Sequence, residues 1–393
     1  MLRSQTKKLG RLNINGIDVV SDMNNLWESY KRCQKASGWK ESTQRFGINL
    51  LKNLCVLRRE LQSGEYRQQQ GSEFTTREHG HLRVIRALTV PDMTVQHALC
   101  NFILIPTLKK YLIHDNGASL KGKGISFTRR RFEEHLHSFY RKHGKDGYIL
   151  KIDFRKFFDN IRHDKLVEAY QKYFEYAIST LIQTLLESYE IDVSYSDDED
   201  IIDKVFNALE YEKIPDNEKT GQRMMRKSIG IGAPISQISG IFFPLVIDNY
   251  CKNVKQCKYY DVYMDDRIII HHDKQFLKDL LEDIKQISER IGLHINTNKT
   301  QIIKLSHGFT FLKTRYILTD TGKLIKRIPK DVIVRQRRKI KSLARFVREG
   351  SMTKKDFVEQ YKSWRGDKKH YNAYHTLKSM DKLFFDLLNA LPG

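Results

Sequence analysis

The 393-residue chain lacks the features that mark membrane, secreted and solenoid proteins. It has no apolar run of about eighteen residues, which excludes a membrane-spanning helix, and we expect no membrane partner. The N-terminal stretch MLRSQTKKLGRLNING lacks the apolar segment of a secretion signal, so we expect a cytoplasmic protein. Five cysteines without a C-x-x-C pair disfavour both a disulfide framework and a zinc site. No internal repeat is visible, which argues against a solenoid.

Basic residues, in contrast, are in large excess. Lys and Arg number 69 against 47 Asp and Glu, which gives a formal net charge of +22. Hydrophobic residues make up 40% of the chain, enough for packed cores, so wholesale disorder is excluded. A folded chain this basic repels itself unless a polyanion neutralises it. The composition therefore predicts a nucleic-acid-binding protein, with a generally basic surface kept for solubility as the alternative.

The spacing of apolar residues indicates helices and short strands. Helical spacing in the first part of the chain ends near Gly64, and the segment YILKID (148–153) is typical of a short strand. Residues 258–272 predict two strands joined by a turn. Residues 190–228 form a polar, acid-rich insertion, and its acidic run 197–200 predicts a solvated loop, with a metal site as the alternative. The last sixty residues carry an amphipathic, Arg-rich helix that ends near Gly350.

Three aspartates occupy positions that are unusual for acids. Asp153 ends an apolar strand, and Asp265 and Asp266 lie at the turn between two others. Adjacent carboxylates at a hairpin tip repel each other unless cations neutralise them. Ligands that are all oxygen atoms favour Mg²⁺ or Mn²⁺ over zinc. Two such ions, about 3.5–4 Å apart, can activate a 3′-hydroxyl and stabilise a leaving pyrophosphate.

Seven segments, in this order, resemble the sequence blocks of reverse transcriptases. They are HLRVIRALTVPDMTVQHAL (81–99), NGASLKGKG (116–124), KIDFRKFFDNI (151–161), GIGAPISQ (230–237), YMDD (263–266), GLHINTNKT (292–300) and GFTFLKTRY (308–316). The first two are similar to fingers blocks, and the last is similar to the primer grip. The resemblance implies an α+β right-hand polymerase with fingers, a palm built on an antiparallel sheet, and a helical thumb. It also implies RNA-directed DNA synthesis from dNTPs with two Mg²⁺ ions, or Mn²⁺ in their place.

The resemblance divides the chain into three parts. Residues 1–74 would form an N-terminal helical extension, residues 75–325 the fingers and palm with the insertion 190–228, and residues 326–393 the thumb. No segment outside these parts resembles an RNase H, an endonuclease or an integrase.

The resemblance also assigns roles to single residues. Asp153, Asp265 and Asp266 would hold the metal ions and carry catalysis. The residues expected to contact the incoming nucleotide are Arg83, Lys121, Lys123, Phe158, Ile231, Gly232, Gln237 and Lys299. Contact with the RNA backbone is the alternative for Lys121 and Lys123, core packing for Phe158, and a solvated surface position for Lys299.

The Arg-rich helix near the C-terminus is expected to contact the phosphates of the template. The residues that would do so are Arg335, Arg337, Arg338, Lys341 and Arg345. An ordinary solvated helix is the alternative reading of this segment.

The turn segment departs from the commonest pattern of the family. Most reverse transcriptases carry Gln-Gly-x-x-x-Ser-Pro there, whereas this chain has Ile231 in place of the Gln and Gln237 in place of the Pro. This form resembles diversity-generating retroelements and neighbouring bacterial clades, some of which serve antiphage defence with a dedicated non-coding RNA. The partners implied are such an RNA as template and the cDNA product, and an accessory protein or a homo-oligomer stays open.

Two other functions compete with reverse transcription. An RNA-templated RNA polymerase would share the palm and its two ions, but the ring at Phe158 would crowd a ribose 2′-hydroxyl. A catalytically silent RNA-binding subunit would have no need for three mutually repelling carboxylates.

Overall fold

The computed structural model describes residues 15–69, 71–78, 81–208 and 213–391. The helices are α1 (Gly16–Val20), α2 (Met23–Ser37), α3 (Glu41–Ile48), α4 (Leu50–Ser63), α5 (Val90–Leu99), α6 (Ile105–Leu108), α7 (Ile125–His143), α8 (His163–Gln171), α9 (Tyr176–Glu187), α10 (Glu199–Ala208), α11 (Pro234–Phe242), α12 (Leu245–Asn249), α13 (Lys274–Arg290), α14 (Lys330–Arg348), α15 (Lys354–Asp367) and α16 (Tyr374–Asn389). The strands are β1 (Ser72–Glu78), β2 (His81–Ala87), β3 (Tyr148–Ile152), β4 (Ile191–Asp192), β5 (Met224–Met225), β6 (Tyr259–Tyr263), β7 (Asp266–His271), β8 (Gln301–Lys304), β9 (Phe309–Phe311), β10 (Thr314–Leu318) and β11 (Leu324–Arg327). This confirms the α+β class.

The N-terminal region contains separate short helices where the sequence indicated helical spacing. Asp22 caps α2, since its side chain accepts hydrogen bonds from the backbone N–H groups of Asn24 and Asn25. Gly64 ends α4 in the left-handed conformation, with φ of 74°, as the sequence predicted. Buried leucines of α2 and α4, among them Leu26 and Leu54, join the largest hydrophobic core, which the sheet also shares.

The central sheet has four antiparallel strands in the order β6-β7-β3-β8. Its β3 and its β6–β7 hairpin are the strands that the sequence predicted. Alternate residues of β3 face opposite sides: Leu150 and Ile152 belong to the largest core, and Ile149 belongs to a second core. Phe132 of α7 and Phe311 of β9 belong to that second core as well. Helices and strands therefore cover both faces of the sheet.

The acid-rich insertion 190–228 is folded, and the acidic run 197–200 is exposed as predicted, but its last two residues begin α10 rather than belonging to a loop. β4 pairs with β5, and α10 packs a small core of Ile191, Val193, Ile202 and Phe206. Ile202 and Phe206 are four residues apart, so they share one face of the helix and can be buried together. The acids at the start of α10 lie where the helix dipole favours negative charge, and Asp198 accepts a hydrogen bond from the N–H of Asp200.

The C-terminal helices form a bundle with its own core, which includes Ile340 of α14, Phe357 of α15 and Met380 of α16. The bundle is attached to the small sheet of β9, β10 and β11, because the N–H of Asn372 donates to the carbonyl of Lys326 at 2.7 Å. Within the described ranges, no helix combines the length and the apolar character needed to cross a membrane.

Candidate active site

Three aspartates meet at one end of the central sheet. Asp153 directly follows β3, Asp265 lies in the turn between β6 and β7, and Asp266 begins β7. Ile152 pairs with Arg267 across the β3–β7 ladder, so Asp153 and Asp266 are the next residues along two neighbouring antiparallel strands. The fold thus brings together acids that are more than a hundred residues apart in the sequence.

The pKa of Asp266 reflects the burial of its carboxyl group and the charges around it. Burial raises the pKa of Asp266 to about 6; Lys151 opposes this shift, and the charges of Asp265 and Asp153 add to it. The Nζ atom of Lys151 lies 4.0 Å from Oδ1 of Asp266. When the pKa of a carboxyl group is raised in this way, a cation that binds beside the group stabilises its ionised form.

The segment before β8 holds the backbone of Asp153 from the other side. Lys299 places its Nζ atom 4.0 Å from Oδ1 of Asp153, so this sequence-predicted residue does lie at the acids. The N–H of Asp153 donates to Oγ1 of Thr300 at 3.2 Å, and the N–H of Asn296 donates to the carbonyl of Asp153 at 2.8 Å. Sequence reasoning did not single out Thr300 or Asn296.

The turn that precedes α11 is built on glycine. Gly232 has a φ of 104°, a conformation that side chains disfavour, and both it and Gln237 are exposed. The N–H of Ile235 donates to Oε1 of Gln96 at 3.2 Å, so a fully buried amide of α5 fixes the turn. Gln96 is a contact that sequence reasoning missed, because only the fold brings α5 to this turn.

Phe158 lies between the Asp153 segment and α11. Its ring contacts Phe157 edge-on with centroids 5.2 Å apart. A Cβ atom added at Gly240 of α11 would come within 3.0 Å of Cε1 of Phe158. Phe158 packs against the largest core and remains partly exposed.

The sequence-predicted lysines of the second fingers block differ in their surroundings. Lys121 is exposed, whereas the Nζ atom of Lys123 donates to the carbonyl of His114 and lies 3.8 Å from the ring centroid of Phe127. The same segment pairs with the β6–β7 hairpin, since the N–H of Gly117 donates to the carbonyl of Val262 at 2.8 Å. Arg83 belongs to β2, but its side chain lies outside the described part of the structure.

A second group of acids lies buried between α7 and β6. Ligand atoms of Asp115, His135 and Asp261 all lie within 4.8 Å of one another, a spacing that could hold a metal ion. Two cations already pair with Asp115: Nε of Arg131 and Nζ of Lys252 each lie 2.9 Å from a carboxylate oxygen. Burial alone would raise the pKa of Asp115, but Lys252 and the other cationic neighbours outweigh it and hold the pKa at about 2. A metal ion at this group would compete with both cations for Asp115.

The sequence-predicted basic residues of α14 lie on its exposed side. These are Arg335, Arg337, Arg338, Lys341 and Arg345. The opposite side of the helix buries Ile340, Leu343 and Val347, as the apolar stripe in the sequence indicated. Arg345 forms an ion pair with Glu349 at 3.5 Å, within the helix itself.

Comparisons with known proteins place the chain beside one family and a solved structure. A family model described as reverse transcriptase (RNA-dependent DNA polymerase) matches residues 79–319, more than half of the chain. Among solved structures, a telomerase from Candida albicans, in complex with a TWJ fragment of telomeric RNA, is similar at 12% sequence identity with a TM-score of 0.47. The match covers 82% of this chain and 56% of the telomerase chain, so the chain spans little more than half of that length. No curated protein sequence matches the chain significantly.

Proposed function

The chain belongs to the reverse transcriptase (RNA-dependent DNA polymerase) family, and from this premise we propose that it makes cDNA on an RNA template. The α+β architecture around an antiparallel sheet is consistent with the right-hand polymerase fold. The observation that carries the proposal is the convergence of Asp153, Asp265 and Asp266 at one end of that sheet.

The donor set of these three aspartates suits divalent cations such as Mg²⁺. It consists of carboxylate oxygens; burial raises the pKa of Asp266, and the charges of Asp265 and Asp153 add to that shift. When bound, such ions lower the pKa of a primer 3′-hydroxyl and stabilise the departing pyrophosphate. The second acidic group is the weaker candidate, because Arg131 and Lys252 already occupy Asp115.

The neighbouring side chains would bind and select the substrates. Lys299, beside Asp153, would pair with a phosphate of the incoming dNTP, as would Lys121 from the fingers segment. The partly exposed ring of Phe158 would pack beneath the deoxyribose and refuse a 2′-hydroxyl. The exposed cations of α14 would contact the phosphates of the RNA template.

We further propose that this synthesis serves a bacterial retroelement or an antiviral defence system with a dedicated non-coding RNA as template. The support is the turn sequence, in which Ile231 and Gln237 replace the residues that most relatives of the family carry. Deep sequencing of the RNA and DNA that copurify with the protein tests this role. A single recurrent RNA species with matching cDNA is expected, and a random sample of cellular RNA would contradict it.

The catalytic assignment is tested by Asp265→Asn. The change is isosteric and removes one metal-facing charge, so we expect primer extension with Mg²⁺ to be abolished. Template binding should persist, because it comes from distributed Lys and Arg contacts. Extension of a primed RNA is measured with dNTPs and, separately, with NTPs, beside filter binding of the same RNA.

The matched control is Asp279→Asn on the exposed face of α13, which should behave as the wild type. Wild-type extension rates in the Asp265 variant would refute the metal assignment. Extension by the wild-type protein with NTPs alone would identify an RNA polymerase, and no extension with either substrate would identify a silent RNA-binding subunit.

A further inference from the structure

Directly beneath the three aspartates lies a buried arginine that the family resemblance does not assign. Arg267 is the second residue of β7, and its side chain is completely buried. Its Nε atom donates to Oδ1 of Asp248 at 3.1 Å, and the hydroxyl of Tyr260 donates to the same oxygen at 2.6 Å. Asp248 is itself buried on α12, so the pair is shielded from solvent.

The guanidinium group of Arg267 also holds the catalytic turn. Its Nη1 atom donates to the carbonyl of Met264 at 3.2 Å and lies 3.4 Å from the carbonyl of Asp265. Met264 has a φ of 55°, the left-handed conformation that non-glycine residues rarely adopt. Such a conformation is strained and persists only where its surroundings enforce it. Hydrogen bonds to the two turn carbonyls are a means of enforcing it.

Arg267 contacts the other half of the acid set as well. The centre of its guanidinium group lies 5.0 Å from the ring centroid of Phe154, the residue that follows Asp153. Its backbone pairs with Ile152 in β3 and with Val262 in β6. One side chain therefore touches the segments that carry Asp153 on one side and Asp265 and Asp266 on the other.

An arginine suits this position better than a lysine. Its planar fork donates at the same time to a carboxylate and to backbone carbonyls, and its face stacks on an aromatic ring. A buried ion pair adds little net stability compared with well-packed apolar residues. Stability alone therefore gives no reason for a buried charge at this point, whereas fixing the spacing of metal-binding carboxylates does.

We propose that Arg267 is a positioning residue that sets the spacing between Asp153 and the Asp265–Asp266 turn for the two divalent ions; this rests on the proposed polymerase function. Asp248 holds the guanidinium in place, and Arg267 acts through the turn carbonyls and the ring of Phe154. Residues behind metal ligands typically change metal affinity or activity by about 10- to 100-fold when they are removed.

The test is the double variant Arg267→Met with Asp248→Asn, which removes both buried charges together and leaves an oxygen for Tyr260. Mn²⁺ binding to the full chain is measured by electron paramagnetic resonance without nucleotides, beside the Mg²⁺ dependence of primer extension. We expect Mn²⁺ affinity to fall about tenfold or more, with kcat reduced and template affinity unaltered. Arg267→Lys keeps the charge but loses the planar guanidinium group. Its Mn²⁺ affinity should therefore lie between those of the wild type and the double variant.

Two further variants make the result decisive. Leu185→Ala in α9 lowers stability by removing a fully buried side chain, and it should leave Mn²⁺ affinity as in the wild type. Asp265→Asn tests the proposed function, because unaltered Mn²⁺ binding in that variant would refute the metal assignment itself. A loss in Asp265→Asn, together with wild-type Mn²⁺ affinity in a folded Arg267→Met/Asp248→Asn protein, would overturn the positioning role alone. If the double variant does not fold, wild-type Mn²⁺ affinity in Arg267→Lys overturns it.

Discussion

Asp266, one of the acids proposed to bind metal ions, is expected to lower the stability of the metal-free fold at neutral pH. Burial raises its pKa to about 6, Lys151 opposes the shift, and the charges of Asp265 and Asp153 add to it. An unfolded aspartate has a pKa near 3.9. The folded state therefore binds more protons than the unfolded state between these two values, and stability falls as the pH rises through that window.

Asp266→Asn should therefore stabilise the metal-free protein. Around pH 7.5 in EDTA we expect a free energy of unfolding about 1–3 kcal/mol above that of the wild type, since each pKa unit corresponds to 1.36 kcal/mol. The gain should shrink as the pH falls toward about 4, where the wild-type carboxyl group is protonated. Thermal unfolding of both proteins across this range measures it, and an equal gain at both ends would contradict the electrostatic cause.

Phe158 is the residue expected to discriminate between dNTPs and NTPs. The ring packs against Phe157 and Gly240 and stays partly exposed. Phe158→Ala should admit ribonucleotides, because it opens the space that a 2′-hydroxyl would need. Phe158→Tyr keeps the ring and should keep the discrimination. Competition between dNTPs and NTPs in primer extension measures the effect, and unaltered selectivity in the alanine variant would leave Phe158 as core packing.

The helix α14 has one buried apolar face and one exposed basic face. Ile340, Leu343 and Val347 bury one face in the C-terminal core, and the cations on the other face remain in solvent. Because both faces belong to one helix, the packing of the apolar face in the bundle core determines the position of the Lys and Arg side chains on the other face. The bundle in turn is tied to the small sheet by the hydrogen bonds between Asn372 and Lys326.

Charge reversal at Arg337 and Arg338 should change the salt dependence of template binding. Each neutralised phosphate contributes about −0.7 to the log–log slope for a single strand, so loss of two contacts should flatten the slope by about 1.4. Binding isotherms of the RNA at several salt concentrations measure the slope. Lys278→Glu on α13 is the matched control and should leave it unaltered, while an unaltered slope in the α14 variant would place the binding surface elsewhere.

At the scale of the whole molecule, the positive charge is not spread evenly. The segment 190–228 is rich in acids and folds around its own small core, and Arg223 and Lys227 pair with acids at or within α10. The remaining chain is correspondingly more basic than the net charge of +22 indicates. A nucleic acid is therefore expected to follow the sheet end and α14 and to avoid this segment.

The sequence by itself determined what depends on local pattern. The period of apolar residues predicted β3, the β6–β7 hairpin and the stripe of α14, because side-chain direction along a strand or helix follows from its repeat. The ordered blocks predicted the reverse transcriptase family, which the family match confirms. Asp153, Asp265 and Asp266 stood out because a strand end and a hairpin tip are costly places for neighbouring charges.

Only the tertiary structure decided which groups from distant parts of the sequence contact each other. Arg267 gave no signal in the sequence, since an arginine after YMDD becomes informative only when Asp248 and the turn carbonyls are seen around it. The same holds for Gln96 at the α11 turn and for the core within residues 190–228. The physical reason is that a contact between elements depends on the packing of both partners and on solvent exclusion around them, and neither is written in the local sequence of one of them.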